Sequence, residues 1–436
     1  MRKKKNAFTL IELLAVIVIL AVILVIAIPR ILDVIETSKK DSFKNAAQLI
    51  ADSAEKKKVS DKLLGKDESI TCKDVAKIND EDYASCTISF DSEGNAKVNI
   101  TGKGKFDGLK ITNGTKGNAE VKEITKPTYG ITAVEYITNL YDYDDISNNL
   151  KRDNTKDQNI RYHGSNPNNY VSFNNELWRI IGVFGNNVKL VRSESLGSLS
   201  WDSSDSTTNN GNGINQWGES TYEDGSLYEG ADLQVYLNKM YYGGDTTVTC
   251  YSSYNNQTIT CPTGTIEETS KSLIDNHIWN TGATEYNMRT DTLAFYQSER
   301  GSVNGKICSS GKMCNDTVTR TTEWTGYIGL PYGTDWAYAS SESVCETNMQ
   351  TKDDSNVYIC KNNNWMQRNT WAWYLSPVGN LSYAFNAWSV SGGGGGGSNS
   401  AASSYAVAPS IYLKSNVLIE SGKGTSTDPY TLKLSN

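Results

Sequence analysis

The stretch of sequence that decides the fold lies near the N-terminus and reads Asn6-Ala7-Phe8-Thr9-Leu10-Ile11-Glu12-Leu13-Leu14. Four basic residues, Arg2 and Lys3 to Lys5, precede it, and an almost wholly apolar run extends from Phe8 to Ile28. A helix rises about 1.5 Å per residue, so a run of this length spans roughly 30 Å, the thickness of a bilayer's hydrocarbon core. We therefore predict a transmembrane helix over residues 8–28, with its basic end in the cytoplasm.

A signal peptide or a signal anchor is the alternative interpretation of a basic segment followed by an apolar run. Two features argue against it. The far end of the run has no small-residue cleavage site, and Glu12 stands inside the run. A carboxylate in hydrocarbon is costly, so we expect Glu12 to have a partner and a function.

The segment from Asn6 to Leu14, followed by Pro29, resembles the N-terminus of type IV pilins and pseudopilins. The resemblance implies that a membrane prepilin peptidase removes the leader, residues 1–7, by cutting between Ala7 and Phe8, and that the new Phe8 amine is methylated. Most relatives have Gly before the cut, where this chain has Ala7. Glu12 becomes the fifth mature residue and Pro29 the twenty-second, as the family pattern requires. The implied partners are the prepilin peptidase, other pilin subunits and, before assembly, the membrane.

The charge of the chain bears on assembly and on partners. In an apolar filament core, Glu12 can neutralise the Phe8 ammonium group of a neighbouring subunit, where an unpaired charge would be costly. Removal of the leader leaves 38 basic residues against 49 acidic ones, a net charge of −11 before the termini are counted. Nucleic acid is therefore not an expected partner, because a bulk excess of acid would not neutralise its phosphates.

Apolar residues at helical spacing continue beyond the predicted span, and this stripe is Ile28, Ile31, Leu32, Ile35, Phe43, Ala46, Ala47, Ile50 and Ala54. The spacing predicts one helix over residues 8–58, kinked or locally melted at Pro29, whose outer half packs its stripe on a small head. Strands predicted over 87–90, 96–100 and 108–111 make that head a β-meander within residues 59–122. The polar stretch 123–135 is typical of a linker.

Cysteine usage favours an exported protein. The eight cysteines occur in separated local pairs, which favours disulfides, whereas a metal site would need CxxC-type clustering that the sequence lacks. We predict the pairs Cys72–Cys86, Cys250–Cys261, Cys308–Cys314 and Cys345–Cys360. His163 and His277 are the two histidines and lie far apart in sequence, which argues against a histidine-based metal site or catalytic triad. We expect no metal, no cofactor and no enzymatic activity.

Residues 136–436 form a second architecture, rich in Asn, Ser, Thr, Gly and aromatic residues. A β-meander is predicted over 170–192 and a helix over 231–242, whereas 244–370 is mostly loop-like. The segments Trp371–Pro377 and Tyr405–Leu413 are predicted to be core strands around an exposed loop.

Three segments of this region resemble C-type-lectin-fold domains of the formylglycine-generating-enzyme-like branch: Asn174–Phe184, Trp373–Pro377 and Ala408–Leu413. The resemblance covers roughly residues 130–436 and implies two terminal strands that flank a variable ligand-binding face. Catalysis does not carry over, because it needs a particular exposed cysteine pair and local pairing accounts for the cysteines here. Calcium-dependent sugar binding is not expected either, since the Glu-Pro-Asn motif is absent from the sequence.

Residues 379–405 lie between the two predicted strands. A flexible Gly/Ser loop is one interpretation, and a ligand-binding face with aromatic anchors among adaptable polar residues is the other. The candidate contact residues are Tyr383, Phe385, Asn386, Trp388, Ser389, Ser391, Ser398, Asn399, Ser400 and Tyr405. The abundance of Asn, Ser, Gly and Tyr also suggests a variable segment of a diversity-generating retroelement, in which adenine mutation converts Asn codons into such residues.

These patterns together predict an α+β protein: a long N-terminal pilin helix with a small β-meander head, then a loop-rich lectin-like α+β domain. The predicted function is a minor or tip subunit of a type IV pilus that binds a surface protein or glycan. We expect it in the cytoplasmic membrane before assembly and on the cell-surface pilus afterwards, with its C-terminal domain extracytoplasmic. A structural pseudopilin of a type II secretion or DNA-uptake machine is the alternative, and a surface enzyme on the formylglycine-generating fold is a third hypothesis.

Overall fold

A single helix of 54 residues, Leu10–Leu63 (α1), dominates the first part of the chain in the computed structural model. The structure describes residues 10–66, 69–76, 81–144, 147–203, 215–221, 225, 227–252, 257–284, 291–303, 306–307, 322–349, 359–379, 386–394 and 396–435, without the side chains of residues 10, 12, 20, 22–27, 220, 221, 228, 302, 303, 306 and 307. The chain divides into two compact units after Lys126, within the predicted linker 123–135, and Asp142–Asp144 groups with the first unit.

The first unit places α1 against an antiparallel sheet. Its other elements are α2 (Cys72–Val75), β1 (Tyr83–Phe90), β2 (Ala96–Gly102), β3 (Leu109–Gly114) and β4 (Lys122–Glu123). The sheet has the order β1-β2-β3-β4, so the predicted β-meander is confirmed.

The outer half of α1 supplies the core of this first unit. Its buried residues are Phe43, Ala47, Ile50, Ala51 and Ala54. The ring of Phe43 lies 6.1 Å from that of Tyr83 and 5.2 Å from that of Phe106, measured between centroids. The predicted packing of the outer stripe on a small head is therefore confirmed.

The helix ends later than the predicted Lys58. Asp61 pairs with Lys57 one turn earlier at 3.0 Å, which supports the last turn. Gly65 then takes a positive φ of 67° and ends the helix with its amide bonded to the carbonyl of Lys62. At the other predicted irregularity, Pro29, α1 continues without interruption, so the local melting expected there is not observed.

The second unit contains many short strands. They are β5 (Ile131–Thr132), β6 (Leu150–Arg152), β7 (Ile160–Tyr162), β8 (Tyr170–Phe173), β9 (Glu176–Phe184), β10 (Asn187–Arg192), β11 (Ser198–Ser200), β12 (Ser220–Thr221), β13 (Leu227–Tyr228), β14 (Cys250–Tyr251), β15 (Thr258–Ile259), β16 (His277–Asn280), β17 (Ser302–Val303), β18 (Lys306–Ile307), β19 (Glu323–Gly326), β20 (Ile328–Gly329), β21 (Ala372–Pro377), β22 (Asn386–Val390), β23 (Gly396–Ser400), β24 (Ser404–Ala406), β25 (Ser410–Tyr412), β26 (Val417–Ser421) and β27 (Thr431–Leu434).

The helices of this unit are α3 (Ala133–Asp144), α4 (Asp232–Val235), α5 (Glu268–Lys271), α6 (Thr292–Glu299) and α7 (Gly333–Tyr338). A π-helical segment, Tyr236–Tyr242, continues α4, so the helix predicted over 231–242 is present but is not α-helical throughout. The described residues within 244–370 include three of these helices and several short strands. This region therefore has more secondary structure than the prediction of a mostly loop-like region allows.

In the described part of the second unit, two sheets organise the core. One has the order β20-β25-β10-β9-β7-β6, with β8 also paired to β9, and includes the predicted meander of β8, β9 and β10. The other has the order β11-β24-β21-β22-β23, in which β21 and β24 pair in parallel through Ala372 and Ala406. The observed mixture of helices and strands confirms the α+β class.

Three of the four predicted disulfides are present. Cys72–Cys86 lies in the first unit, and Cys250–Cys261 and Cys345–Cys360 lie in the second. The fourth predicted pair, Cys308–Cys314, falls outside the described residues. Each observed bridge closes a loop of 11 to 15 residues, which constrains the unfolded chain locally.

Candidate functional site

The inner half of α1 differs from the outer half in what its apolar side chains contact. Large apolar side chains are exposed along it: Ile11, Leu13, Leu14, Val16, Ile17, Val18, Ile19, Ile28, Ile31, Leu32, Val34 and Ile35. The predicted stripe is therefore buried only in its outer part, since Phe43 and Ile50 are buried while Ile28 and Ile35 are exposed. An exposed apolar surface of this extent is typical of a region that lipid or another protein covers.

The residues predicted for processing and assembly are Ala7, Phe8, Glu12 and Pro29. Ala7 and Phe8 lie outside the described residues. Glu12 belongs to α1, but the structure does not describe its side chain. Pro29 lies inside the helix, where it has no amide hydrogen to donate to the carbonyl one turn earlier.

The membrane span predicted over residues 8–28 is not confirmed. Among the residues that the structure describes, no helix meets the length and apolarity needed to cross a bilayer.

The predicted ligand face is built mainly on the hairpin of β22 and β23. The exposed loop expected at 379–405 is wrong for residues 386–390 and 396–400, which are strands. Asn386, Trp388 and Ser389 are buried, so in this structure they do not lie on an exposed face. Tyr383 and Phe385 lie outside the described residues.

Trp388 is buried by close packing, so its ring is not exposed to contact a ligand. Its ring meets that of Phe295 edge to face, with centroids 4.7 Å apart. A Cβ atom at Gly396 would collide with the Trp388 ring, so glycine is required there for β23 to approach it. At least part of the glycine run therefore serves packing, which a flexible Gly/Ser loop would not need.

The half-buried polar residues of the hairpin are Ser391, Ser398, Asn399 and Ser400. Asn399 donates from Nδ2 to Ser389 Oγ at 2.8 Å, which fixes its amide. Among the described strands β23 pairs only with β22, so it forms an edge of its sheet. Such an edge can present polar side chains and backbone groups to a ligand.

Tyr405 lies on β24, which β21 separates from the hairpin in the same sheet, and is half-buried. Its ring stacks on Trp371 at 5.3 Å and lies 4.6 Å from the ring of Trp373. The tyrosine is therefore held rigidly, as a recognition residue with low conformational entropy would be. Of the ten predicted contact residues, the structure gives partial exposure to Ser391, Ser398, Asn399, Ser400 and Tyr405.

A buried ion network, which we did not predict, lies in the same unit. Asp335 accepts from Arg161 Nη1 at 2.6 Å and from Lys189 Nζ at 2.7 Å, and Arg161 Nε bonds Asp153 at 2.7 Å. All four side chains are almost fully buried. The position of Lys189 between Val188 and Leu190 in a strand was the sequence signal for this network.

The network perturbs the ionisation of its members. Burial lowers the pKa of Lys189 to about 8, although Asp335 opposes this shift. Burial would raise the pKa of Asp335, but Lys189 and Arg161 outweigh it and hold that pKa below the usual value. Aromatic rings surround the ammonium of Lys189, the nearest being Tyr332 at 3.8 Å from Nζ. A fully buried arrangement of this kind supports the fold and offers no access to a substrate.

Glu299 is a second buried acid close to this network. It accepts from Thr334 Oγ1 at 2.6 Å and from Ser376 Oγ at 3.2 Å. Burial raises its pKa to about 7, and the Arg300 guanidinium at 3.5 Å opposes the shift. The side chain is fully buried, so it holds α6, α7 and β21 together rather than facing a ligand.

His277 is accounted for by packing. The ring of His277 stacks on that of Tyr412 at 3.7 Å, and His277 Nδ1 lies 2.9 Å from Asp275 Oδ2. Burial lowers the pKa of His277 despite the nearby carboxylate.

Comparison with known proteins gives one finding. A family model described as the prokaryotic N-terminal methylation motif matches residues 2–28. No curated protein and no solved structure matches the chain significantly. The N-terminus is therefore that of a type IV pilin-like or pseudopilin-like protein, and the motif implies processing by a prepilin peptidase and assembly with other pilins.

Proposed function

We propose that this chain is a minor or tip subunit of a type IV pilus, and that its second unit is a lectin-like head that binds a surface protein or glycan. The observation that carries the proposal is the set of exposed apolar side chains of α1 within residues 11–19 and 28–35. Burial of each large aliphatic side chain is worth about 1.5–3 kcal/mol, so covering this surface stabilises an assembled state strongly. Lipid covers it before assembly and neighbouring pilin helices cover it in the filament.

Glu12 selects the filament state in this proposal. Once the leader is removed, Phe8 carries a new amino group at the end of the helix. The Glu12 carboxylate of one subunit pairs with the Phe8 ammonium of the next inside the apolar core. Pairing removes the cost of two isolated charges, so it fixes the position of each subunit along the filament axis.

The size of the second unit supports a minor or tip position. It comprises most of the chain from Pro127 onward, whereas the unit that packs on α1 ends at Lys126. A head of this size would crowd a shaft made of repeating subunits, but it has room at a tip.

The ligand contacts in this proposal come from Ser391, Ser398, Asn399 and Ser400 of the hairpin, together with Tyr405. Tyr383 and Phe385 are also ligand contacts in the proposal, and both lie outside the described residues. The rigid Tyr405 supplies apolar area, and the serines and Asn399 supply adaptable hydrogen bonds. If a diversity-generating retroelement varies residues 379–405, a reverse-transcriptase gene and a near-identical template repeat lie beside this gene, and their absence would refute that part.

Fractionation of cells that carry a prepilin peptidase tests the proposal. The chain should appear in sheared surface filaments, with an intact mass that lacks residues 1–7 and carries one added methyl group. Retention in the cell envelope after the same cleavage would instead indicate the pseudopilin alternative. An uncut leader would contradict both.

A further inference from the structure

A cavity of about 80 Å³ in the second unit is lined by three arginines, Arg179, Arg192 and Arg368. Aromatic side chains, Trp365, Trp373 and Tyr374, line the same cavity. A site for one water needs only about 10–15 Å³ by this measure, so the space admits one small charged group. The three guanidinium groups therefore face a space that a polar ligand group can enter.

Arg192 already has a counter-ion. Its Nε lies 2.6 Å from Glu176 Oε2, and its Nη2 donates to Glu176 Oε1 at 3.0 Å. This two-point pair neutralises Arg192 and holds it in place. The positive charge of the cavity thus comes from the other two arginines.

Arg179 is held by neutral partners. Its Nε donates to Asn169 Oδ1 at 2.8 Å, and Nη2 donates to the carbonyl of Pro167 at 3.3 Å. The guanidinium lies between the rings of Tyr170 and Trp365, at 4.2 and 4.6 Å from their centroids. In the described part of the chain no carboxylate forms an ion pair with it, although its side chain is buried.

Arg368 is in a similar position. Its Nη2 donates to the carbonyl of Arg192 at 3.1 Å, which leaves Nε and Nη1 without a hydrogen bond to any described residue. It likewise has no ion pair among the described residues. Burial lowers the pKa of Arg368, and burial lowers the pKa of Arg179 to about 10. Both groups nevertheless stay charged near neutral pH, and the nearby Glu194 acts on Arg368 only at long range. Two cations therefore line one cavity without an ion-paired carboxylate among the described residues.

We propose that this cavity binds the oxyanion group, a carboxylate or a sulfate ester, of an acidic saccharide. The oxyanion accepts hydrogen bonds from the guanidinium groups of Arg368 and Arg179. Arg179 is buried and Arg368 is half-buried. Two like charges at such a site are unfavourable, and a bound anion lowers that cost. The inference names a ligand class for the head. It rests on the proposed function only in taking the second unit to be a ligand-binding head. Failure of saccharide binding would leave pilus assembly intact, and failure of leader cleavage would leave the cavity intact.

Calorimetric titration of the full chain in detergent, at constant ionic strength, tests this inference. The probes are glucuronate, glucose 6-sulfate and uncharged glucose. We expect saturable binding of one or both acidic sugars with a Kd of about 10 mM or tighter, and none of glucose. The acidic sugar that binds more tightly identifies the preferred oxyanion, carboxylate or sulfate ester. A preference for either one supports the proposal. Binding of glucose as tight as that of the acidic sugars, or no saturable binding at all, would overturn it.

Two substitutions assign the binding to the cavity. Arg368→Gln should weaken binding of the acidic sugar roughly tenfold or more, because it removes charge-assisted hydrogen bonds. Arg152→Gln is the matched control, since Arg152 is exposed and bonds only the carbonyl of Gln158 and the ring of Tyr141 among the described residues, and it should leave binding unchanged. Equal effects of the two changes would overturn the proposal.

A stability measurement separates ligand binding from a structural role of Arg368. Without sugar, Arg368→Gln should melt no lower than the unaltered chain, because the change removes an uncompensated charge. Saturating acidic sugar should raise the Tm of the unaltered chain only. If Arg368→Gln fails to fold, Arg368→Lys, which keeps the charge and loses the planar fork, should fold and bind more weakly. Unchanged affinity in Arg368→Lys would then contradict the proposal.

Discussion

The substitution Asp335→Asn removes the shared acid of the buried ion network. Asp335 bonds both Arg161 and Lys189, at 2.6 and 2.7 Å. Arg161 keeps Asp153 as a partner after the change, whereas Lys189 keeps only the surrounding rings. Removing one member of a buried ion pair typically costs about 3–5 kcal/mol, and we expect a loss of this size in the free energy of unfolding at pH 7.

The cost of Asp335→Asn should depend on pH, because Lys189 loses its proton in the folded chain near pH 8. The pKa of Lys189 is about 8 in the folded chain, below its ordinary value of 10.5, so the unfolded chain binds more protons between these values. Stability therefore rises with pH across that window, by up to about 3 kcal/mol for a shift of this size. At pH 9 Lys189 is mostly neutral in the folded chain, so Asp335→Asn should cost less at pH 9 than at pH 7.

Tryptophan fluorescence during denaturant unfolding measures this effect in the second unit alone, because all ten tryptophans follow residue 177. Asp428→Asn is the matched control, since Asp428 pairs with Lys423 at 4.0 Å with both side chains exposed, and should cost about 0–1 kcal/mol. Adding Lys189→Met to Asp335→Asn should recover part of the loss. Equal losses for Asp335→Asn and Asp428→Asn, or an unchanged loss at pH 9, would refute the reasoning.

Two further predictions concern the core of each unit. Phe43→Ala should destabilise the first unit by about 3–5 kcal/mol because it removes the ring that contacts Tyr83 and Phe106. Leu49→Ala, at an exposed position on the same helix, should change the stability by about 0.5 kcal/mol or less. Hydrogen exchange of α1 amides measures both, and similar protection in the two variants would contradict the packing described. For Glu299, whose folded pKa of about 7 lies above the ordinary 4.5, the favourable contribution is present below pH 4.5 and is lost as pH rises through 7. Glu299→Gln should therefore flatten the decline in stability between pH 5 and 8, by about 3 kcal/mol at most, in the tryptophan-detected assay, and an unaltered slope would count against it.

The sequence predicted elements best where periodicity and turn residues agreed. The outer half of α1 and strands β1 to β3 follow from apolar spacing and a polar turn, and three disulfides follow from local cysteine pairs. The sequence predicts a loop where the hairpin of β22 and β23 forms, because a run of glycines usually indicates a flexible backbone. Here Gly396 is glycine because the ring of Trp388 fills the space beside it.

The buried charges escaped prediction for a different reason. Arg161, Lys189 and Asp335 come from two strands and a helix that are distant in sequence. The cavity arginines are likewise separated, with Arg179 in a strand and Arg368 in a loop after Trp365. Single-sequence patterns describe neighbours along the chain, so the local signal is limited to isolated charges in apolar strands, which are Arg161, Arg179 and Lys189.

Glu12→Ala tests the central claim most directly. Cells that carry the prepilin peptidase should remove the leader from both the unaltered chain and the variant, but only the unaltered chain should enter sheared filaments in quantity. Glu36→Ala, on the same helix at an exposed position, is the control and should enter filaments normally. Incorporation of Glu12→Ala at the level of the unaltered chain would contradict the account.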